Sequence, residues 1–309
     1  MNGVPPPVPN AALVETACAI CGRDVPATEV YPARLSRGLD AALFSARRLP
    51  DRIHFRIVRC SRCGLLRSDP SANPSDLAGL YEKSGFDYAA EVPNLRKTYG
   101  RYLRRMRRHR QSLRSLLEIG GGSGFVLEEA LDQGFEDVRG VDPSAAAVAS
   151  AGPRVRDRVQ TRMMMPGLFE PESFDAICMF QVLDHMPDPA SLLRECVRLL
   201  RPGGVMLLLQ HDAGAWSASL LGERSPIVDV EHPYLYSRST LRKLLSANGL
   251  TVVQSGAAVN LYSAGYLGRL LPLPGRTKSW LLQVLARSGL GRLPVWVPLG
   301  NQYCIARRS

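Results

Sequence analysis

The sequence predicts an α/β fold of Rossmann-like type, and three observations carry that prediction. First, Leu116, Leu117 and Ile119 form a short apolar run that passes directly into Gly120, Gly122 and Gly124. A helical apolar pattern (Phe125, Val126, Leu127, Ala130, Leu131) follows. Strand, glycine turn and helix in that order are the layout of a nucleotide-type site at the carboxyl end of a parallel strand. Second, strand-like and helix-like segments alternate regularly from Asp137 to Gln210. Third, a second strand, Asp137 to Asp142, ends in an acid 18 residues beyond Gly124, where an acceptor for ribose hydroxyls is expected.

Size and charge bound the rest. The chain has 309 residues, enough for one large domain and a small one, and 45% hydrophobic content supports an ordinary core. No run approaches the roughly 18–20 apolar residues of a membrane span. The first ten residues carry no charged stretch followed by an apolar one, so the expected location is cytoplasmic. A net charge of +11 favours acidic partners: nucleic acid, a nucleotide-sugar, a phosphorylated carrier or an anionic membrane surface.

Taken in order, residues 1–12 are rich in Pro and Ala and read as a disordered tail. Cys18-x-x-Cys21-Gly22 and Cys60-x-x-Cys63-Gly64 follow within a segment spanning 13–75. In each pair the spacing lets two thiolates face one ion, and the glycine eases the turn behind them. Two such knuckles supply four sulfurs for a tetrahedral structural Zn²⁺. The 38 residues between Cys21 and Cys60 exceed the usual ribbon spacing, so an inserted loop or hairpin is implied. A redox role needs only one such motif. Cys178, Cys196 and Cys304 sit in apolar patterns and read as core.

The turn-rich stretch 68–76 marks the first boundary, and residues 76–114 read as linker or lid helices. Tyr81, Phe86 and Tyr88 form an aromatic cluster there, either a staple between domains or a lid over the cleft. Arg96 to Arg114 reads as a long basic helix. A solvated face is its commoner meaning; phosphate or nucleic-acid contact is the rival.

Residues 115–309 form the remaining domain. Arg156 to Gln160 is a weak third strand, and Thr161 to Pro166 supplies three methionines and no acid. A fourth strand begins at Ser173-Phe174-Asp175 and runs to Gln181. It continues through Asp184-His185 and Pro187-Asp188-Pro189 into a helix that ends at Arg201-Pro202-Gly203-Gly204. Val205 to Gln210 is the fifth strand. Ser239 is expected to cap a helix closed by Asn248-Gly249; Leu250 to Ser255 is the sixth strand, and Gly300 to Arg307 the seventh, antiparallel beside it. Residues 260–299 read as a cap on the active site or, alternatively, a membrane-surface element, with prolines breaking any long helix.

Glu118-x-Gly120-x-Gly122-x-Gly124 departs from the dinucleotide fingerprint, because position 125 is Phe. It resembles instead the first motif of class I S-adenosylmethionine-dependent methyltransferases. The Phe174-Asp175 strand, the acid–His pair before Pro-Asp-Pro and the helix ending in Leu-Arg-Pro-Gly-Gly are also similar to that family, although Asp184 stands where the family usually has Glu. The resemblance implies a seven-stranded sheet and S-adenosylmethionine as methyl donor. It also implies a cofactor site made from Glu118, Gly120, Gly122, Gly124, Asp142 and Gln181. Backbone amides after the first strand are expected to cradle the donor's amino-acid end, and Asp142 its ribose. An acid that holds the adenine amine in many relatives is missing here, so a methionine wall or a backbone amide is expected instead.

With the cysteine-rich head, and Glu231-His232-x-x-Tyr before the sixth-strand helix, the chain looks like the zinc-ribbon-headed methyltransferases. That group includes deoxysugar C-methyltransferases and other natural-product or polysaccharide enzymes. The resemblance implies a small-molecule acceptor, and the basic charge would suit a diphosphate-bearing one. It maps the catalytic base onto Glu231 and His232. His185, at the end of the fourth strand, is the second candidate, because imidazole is the side chain best matched to proton transfer near neutral pH. The rival readings are an RNA base methyltransferase and a binding protein with a relic cofactor fold.

Overall fold

The computed structural model describes residues 13–35, 43, 52–83, 89–110, 112–271 and 273–309. The expected tail at 1–12, and Phe86 and Tyr88, lie outside the described residues.

The central sheet has seven strands. In chain order the strands of the whole molecule are β1 (Leu13–Val14), β2 (Ala27–Tyr31), β3 (Ile57–Cys60), β4 (Leu66–Ser68), β5 (Ser71–Ala72), β6 (Ser115–Ile119) and β7 (Asp137–Asp142). They continue as β8 (Val159–Thr161), β9 (Phe174–Phe180), β10 (Leu200–His211), β11 (Tyr234–Leu235), β12 (Leu250–Ser263) and β13 (Pro294–Arg308). The large sheet runs β12-β13-β10-β9-β6-β7-β8, with β6 to β10 parallel and β13 antiparallel to both neighbours. The order reverses at β6, between β9 and β7. Ligands of open α/β sheets bind in the crevice beyond such a point.

The core follows from the apolar runs. All seven residues of β9 are buried, as a strand covered on both faces requires. Cys178 pairs in register with Leu207, and Cys304 with Leu208. Both thiols and that of Cys196 are buried in the core. Asp175 is the exception in β9 that explains its motif. Its carboxylate accepts from the backbone N–H groups of Arg114 and Ser115 and pairs with Arg201 at 3.2 Å. It thereby ties the start of β6 to the Arg-Pro-Gly-Gly turn.

The first four helices, α1 (Pro74–Glu82), α2 (Val92–Arg107), α3 (Phe125–Asp132) and α4 (Ala145–Ala149), all contribute to the lining of the site. Helix α2 starts four residues before the expected Arg96 and stops seven before Arg114. Leu95, Tyr99, Tyr102, Leu103 and Met106 form its buried stripe at helical spacing. Its arginines are not a free basic face. Arg96 pairs with Glu128 and Glu129 at 3.1 Å and also with Asp132, and Arg104 pairs with Glu129 at 3.2 Å. Arg105 lies over the Tyr303 ring, Arg107 over Phe135 and Arg101 over Trp296.

The remaining helices are α5 (Pro189–Leu199), α6 (Trp216–Leu221), α7 (Arg238–Ala247), α8 (Ala264–Leu270) and α9 (Gly275–Arg287). Ser237, not Ser239, caps α7, in a capping box with Thr240 that satisfies two otherwise orphaned backbone donors. The third strand is only three residues long, because a 3₁₀ turn at Arg156–Arg158 takes up its expected start. The sixth and seventh strands run well past their expected ends. They pair out to Ser263↔Pro294 and carry α8 and α9 between them as an arm. The prolines expected to break a helix in this region border α9: Pro274 is its N-cap residue and Pro294 opens β13.

The N-terminal residues build a second sheet of order β11-β4-β3-β2. One of its edge strands, β11, comes from the loop before α7, so His232 lies two residues ahead of a strand of this sheet. Cys18, Cys60, Cys63 and Leu65 share one apolar cluster with Leu117, Ile119 and Met179 of the large sheet. No helix among the described residues is long and apolar enough to cross a membrane.

Candidate active site

A cavity of about 660 Å³ opens at the carboxyl ends of the parallel strands. One half of it is backbone and carboxylate. Gly120, Gly122 and Gly124 all have positive φ, of 74°, 50° and 71°. At Gly120 the need is doubled, because a Cβ would lie 2.3 Å from Val182 Cγ2. The obstruction there is the protein's own wall.

Four of the loop's amides, which the sequence leads one to expect around a ligand, have acceptors within the protein. The N–H groups of Gly120 and Gly121 donate to the Val141 carbonyl, that of Gly122 to Asp142 Oδ2 at 2.8 Å, and that of Gly124 to the Gly121 carbonyl. The ends of β6 and β7 are sewn together by these bonds, and the side chains that the cavity meets beside the loop are the acids Glu118 and Asp142. Such a lining suits an ammonium group.

Asp142 also accepts from the Ser144 N–H at 2.8 Å, so each oxygen holds one backbone bond and keeps capacity for another acceptor role. Burial raises its carboxyl, against those two N–H bonds. Glu118 lies beside it with Oε2 unpartnered. Burial, with the Asp142 charge added, pushes Glu118 well above the ordinary carboxylate range. Gln181 lines the same half at a φ of 59°, its backbone N–H held by Leu209 and its Oε1 unpartnered. A strained residue and two orphaned polar atoms facing one cavity are the mark of a ligand site. Met163 and Met164 form the wall where no acid stands. Tyr99 stacks on Phe180, ring centres 4.1 Å apart.

The other half is a histidine cluster that the sequence does not assemble. His185, His211 and His232 all line the cavity. The His232 ring centre is 4.7 Å from that of His185 and 4.8 Å from that of His211. His211 Nδ1 lies 2.9 Å from Asp184 Oδ2, and Tyr81 Oη lies 3.0 Å from His185 Nδ1. His232 Nδ1 is 3.0 Å from the Ile227 carbonyl. A carbonyl only accepts, so Nδ1 carries the proton and Nε2 is the basic nitrogen. Among the described residues this bond, and not one to the neighbouring Glu231, orients His232. Burial, and then the nearby His185 and His211, lower His232 well below the ordinary imidazole value; burial lowers His185 as well. Asp184 is fully buried, which works to raise it, yet the His211 hydrogen bond and the neighbouring histidines hold it below the usual carboxylate range. Asp184, His211 and His232 place ligand-type atoms within 4.8 Å of one another, so they are also a possible set for a divalent ion.

Sequence reasoning put His185 and His211 at strand ends facing the cleft and His232 forward as the base, but did not join His211 to Asp184 or Tyr81 to His185. Both partners of the pair stand at strand ends, one after β9 and one closing β10. Adjacency of those strands was the only signal that could have joined them.

The four cysteines at 18, 21, 60 and 63 bring their sulfurs within 4.8 Å of one another, with Cys18 and Cys63 at 3.5 Å. A tetrahedron of ~2.3 Å Zn–S bonds has edges of about 3.8 Å. The Gly22 and Gly64 N–H groups close each knuckle on the Cys18 and Cys60 carbonyls, at φ of 83° and 81°. Burial raises the Cys60 thiol, but the backbone N–H groups of Cys63 and Arg62 outweigh it and bring it down to about 7. All seven thiols are free, and this donor set is the kind that holds zinc.

A family model described as a methyltransferase domain matches residues 73–255, more than half of the chain. The chain belongs to the methyltransferase-domain family. Among curated relatives, a ubiquinone biosynthesis O-methyltransferase of Pseudomonas aeruginosa (strain UCBPP-PA14) is 37% identical over 102 residues, 31% of this chain and 43% of that one. One from Stutzerimonas stutzeri is 30% identical over 118 residues, 35% of this chain and 50% of that one. The chain thus spans half or less of the length of these two relatives. Of solved structures, a methyltransferase described as putative, from Bacillus halodurans, aligns with a TM-score of 0.49 at 18% identity. The alignment covers 68% of this chain and 98% of that one. A geranyl diphosphate C-methyltransferase from Streptomyces coelicolor aligns at 0.46 and 17%, covering 69% and 76%. These structural likenesses are too slight to carry an argument. In the methyltransferase domain, the ends of β6, β7, β9 and β10 supply the acids, the glycine loop and the Asp184–His211 pair, while Tyr81 comes from α1 and His232 from the segment before β11.

Proposed function

We propose that this methyltransferase domain moves a methyl group from S-adenosylmethionine to a nucleophilic atom of a small molecule, with a histidine taking the proton. The observation that carries this reading is the meeting, in one cavity, of an acid-lined glycine loop and a histidine–aspartate cluster. The donor supplies an electrophilic methyl on a sulfonium. Glu118, ionising opposite an ammonium, and Asp142, accepting from ribose hydroxyls, hold it; Gln181 and the glycine loop shape its bed. The buried orphan Oε2 of Glu118 fits a cationic amino group. Positioning does much of the work in such a displacement.

His232 Nε2 is the proposed proton acceptor, neutral because burial disfavours its charged form. The Asp184 carboxylate supplies the negative charge that steadies the imidazolium. His185, held by Tyr81, is the alternative acceptor. Glu231 contributes through the backbone, its N–H on Asp229 and its carbonyl accepting from Tyr81. The finer acceptor class suggested by the resemblance, a nucleotide-linked sugar or a natural-product or polysaccharide intermediate, stays within this proposal.

Zn²⁺ on Cys18, Cys21, Cys60 and Cys63 is proposed as structural. Residues 13–75 then form its unit, 76–114 the helices beside the cleft, and 115–309 the catalytic part. Ser68 N–H donates to the Pro233 carbonyl, and the Tyr234 hydroxyl to the Ala17 carbonyl. These bonds support a role for the cysteine unit in holding the histidine wall. Calorimetry tests the central reading: micromolar binding of S-adenosylmethionine is expected, and no detectable heat would leave only the binding-protein alternative.

A further inference from the structure

The chain has three tryptophans, Trp216, Trp280 and Trp296, and all three are exposed, at 65%, 64% and 45%. All lie on α6 or the arm. Leu220, Leu290 and Leu293 on the same elements are exposed at 76%, 50% and 52%. Helix α9 has no fully buried residue. It meets α8 through Leu281, Leu282 and Leu285, which pack around Gly268. That leaves Trp280 and Val284, at i and i+4, on its outer side. Monomers in water rarely leave so much apolar surface together.

The charge of this surface narrows what covers it. The last acid in the sequence is Glu231; residues 232–309 contain no Asp or Glu. Between 260 and 299 the charged residues are Arg269, Arg276, Lys278, Arg287 and Arg292. A second copy seated on the same face by a two-fold axis would oppose these cations with themselves. RNA would match the charge but not the exposed leucines. A lipid surface matches both: tryptophan and leucine enter the headgroup boundary while Arg and Lys meet anionic headgroups. The cavity opens on the same side. Leu221, Leu271 and Leu299 line it and are also exposed.

We propose that α6 and the β12–α8–α9–β13 arm dock the protein on an anionic bilayer, with the mouth of the cavity at the lipid surface. The inference does not rest on methyl transfer, and its test needs no turnover. The full chain is sedimented with phosphatidylcholine vesicles, and with vesicles in which part of the phosphatidylcholine is replaced by phosphatidylglycerol. Binding to the anionic vesicles is expected, with a blue-shifted tryptophan emission and a steep loss on adding salt. The double variant Trp280→Ala/Leu290→Ser is expected to bind at least about tenfold more weakly. Arg276→Ala/Lys278→Ala is expected to lose the preference for anionic lipid. Thermal melts of both variants report whether they fold, and unchanged binding in two folded variants overturns the proposal. It is also overturned if the wild type binds neither vesicle or prefers the neutral one. Two further results overturn it: light scattering that shows a dimer abolished by the Trp280 variant, or RNA binding lost on removing the cations but not the tryptophan.

Discussion

The two halves of the cavity are made in different ways. The acid-and-glycine half is built chiefly from a short stretch of chain, the turn between β6 and α3 with the tip of the adjacent strand, to which Gln181, Met163 and Met164 are added. Its contacts are largely backbone, such as Gly122 N–H on Asp142. The histidine half is drawn from α1, the ends of β9 and β10, and a loop that leads into the N-terminal sheet. Its contacts are between side chains far apart in sequence, as with Tyr81 and His185. A backbone-built half tolerates change elsewhere in the molecule. A side-chain half depends on every element that holds it.

The sharpest test of that contrast is His232→Ala. Turnover is expected to fall about 10²–10⁴-fold with donor affinity unchanged in calorimetry. The pH profile sharpens it further. A histidine lowered by burial stays neutral until the pH drops below the ordinary 6.5, so the acid limb of kcat should lie below that value. The same depression means that stability contributed by the neutral ring is lost as pH falls below 6.5. Zinc removal comes next. Stripping the metal, or Cys60→Ser, is expected to lower turnover about a hundredfold by loosening the histidine wall, while donor binding persists; elemental analysis and calorimetry on one sample check both. If donor affinity falls equally, the two halves are not separable.

Asp142→Ala acts on the other half. It removes a charged acceptor, so donor affinity should weaken roughly tenfold to a hundredfold with the histidines intact. Gly120→Ala should destabilise the fold by about 1–3 kcal/mol in chemical denaturation, because a Cβ meets Val182; adding Val182→Ala should recover part of the loss. The smallest effect is expected of Glu118→Gln. A carboxyl raised by burial costs stability once pH exceeds its ordinary 4.5, and the amide removes that cost. At neutral pH the free variant should therefore melt about 2–4 °C higher, while binding the donor more weakly.

The same contrast explains what the sequence disclosed. The α/β class, the strand ending at Asp142 and the knuckles at Cys18 and Cys60 are local patterns, and they are where the spacing put them. The Asp184–His211 pair was invisible because nothing in the chain says which strand-end side chains turn toward each other. The arginines of α2 read as a basic face because their partners, Glu128, Glu129 and Asp132, lie on another helix. The loop amides read as free because the Val141 carbonyl that takes two of them sits one strand away. In the arm, prolines signal where a helix stops, but they do not say that thirteen residues fit between two of them.

One feature of the large sheet bears on how the molecule is made. The strand that lies between β10 and β12 is β13, although both its neighbours precede it in the chain. A nascent polypeptide that has not yet reached residue 308 must therefore keep two bare strand edges, each a template for pairing with another chain. Sheet closure waits on β13, and until that strand is in place the apolar arm is presented on a half-finished body. The interval between the synthesis of β12 and that of β13 is thus one in which strand edges of the large sheet are open to mispairing.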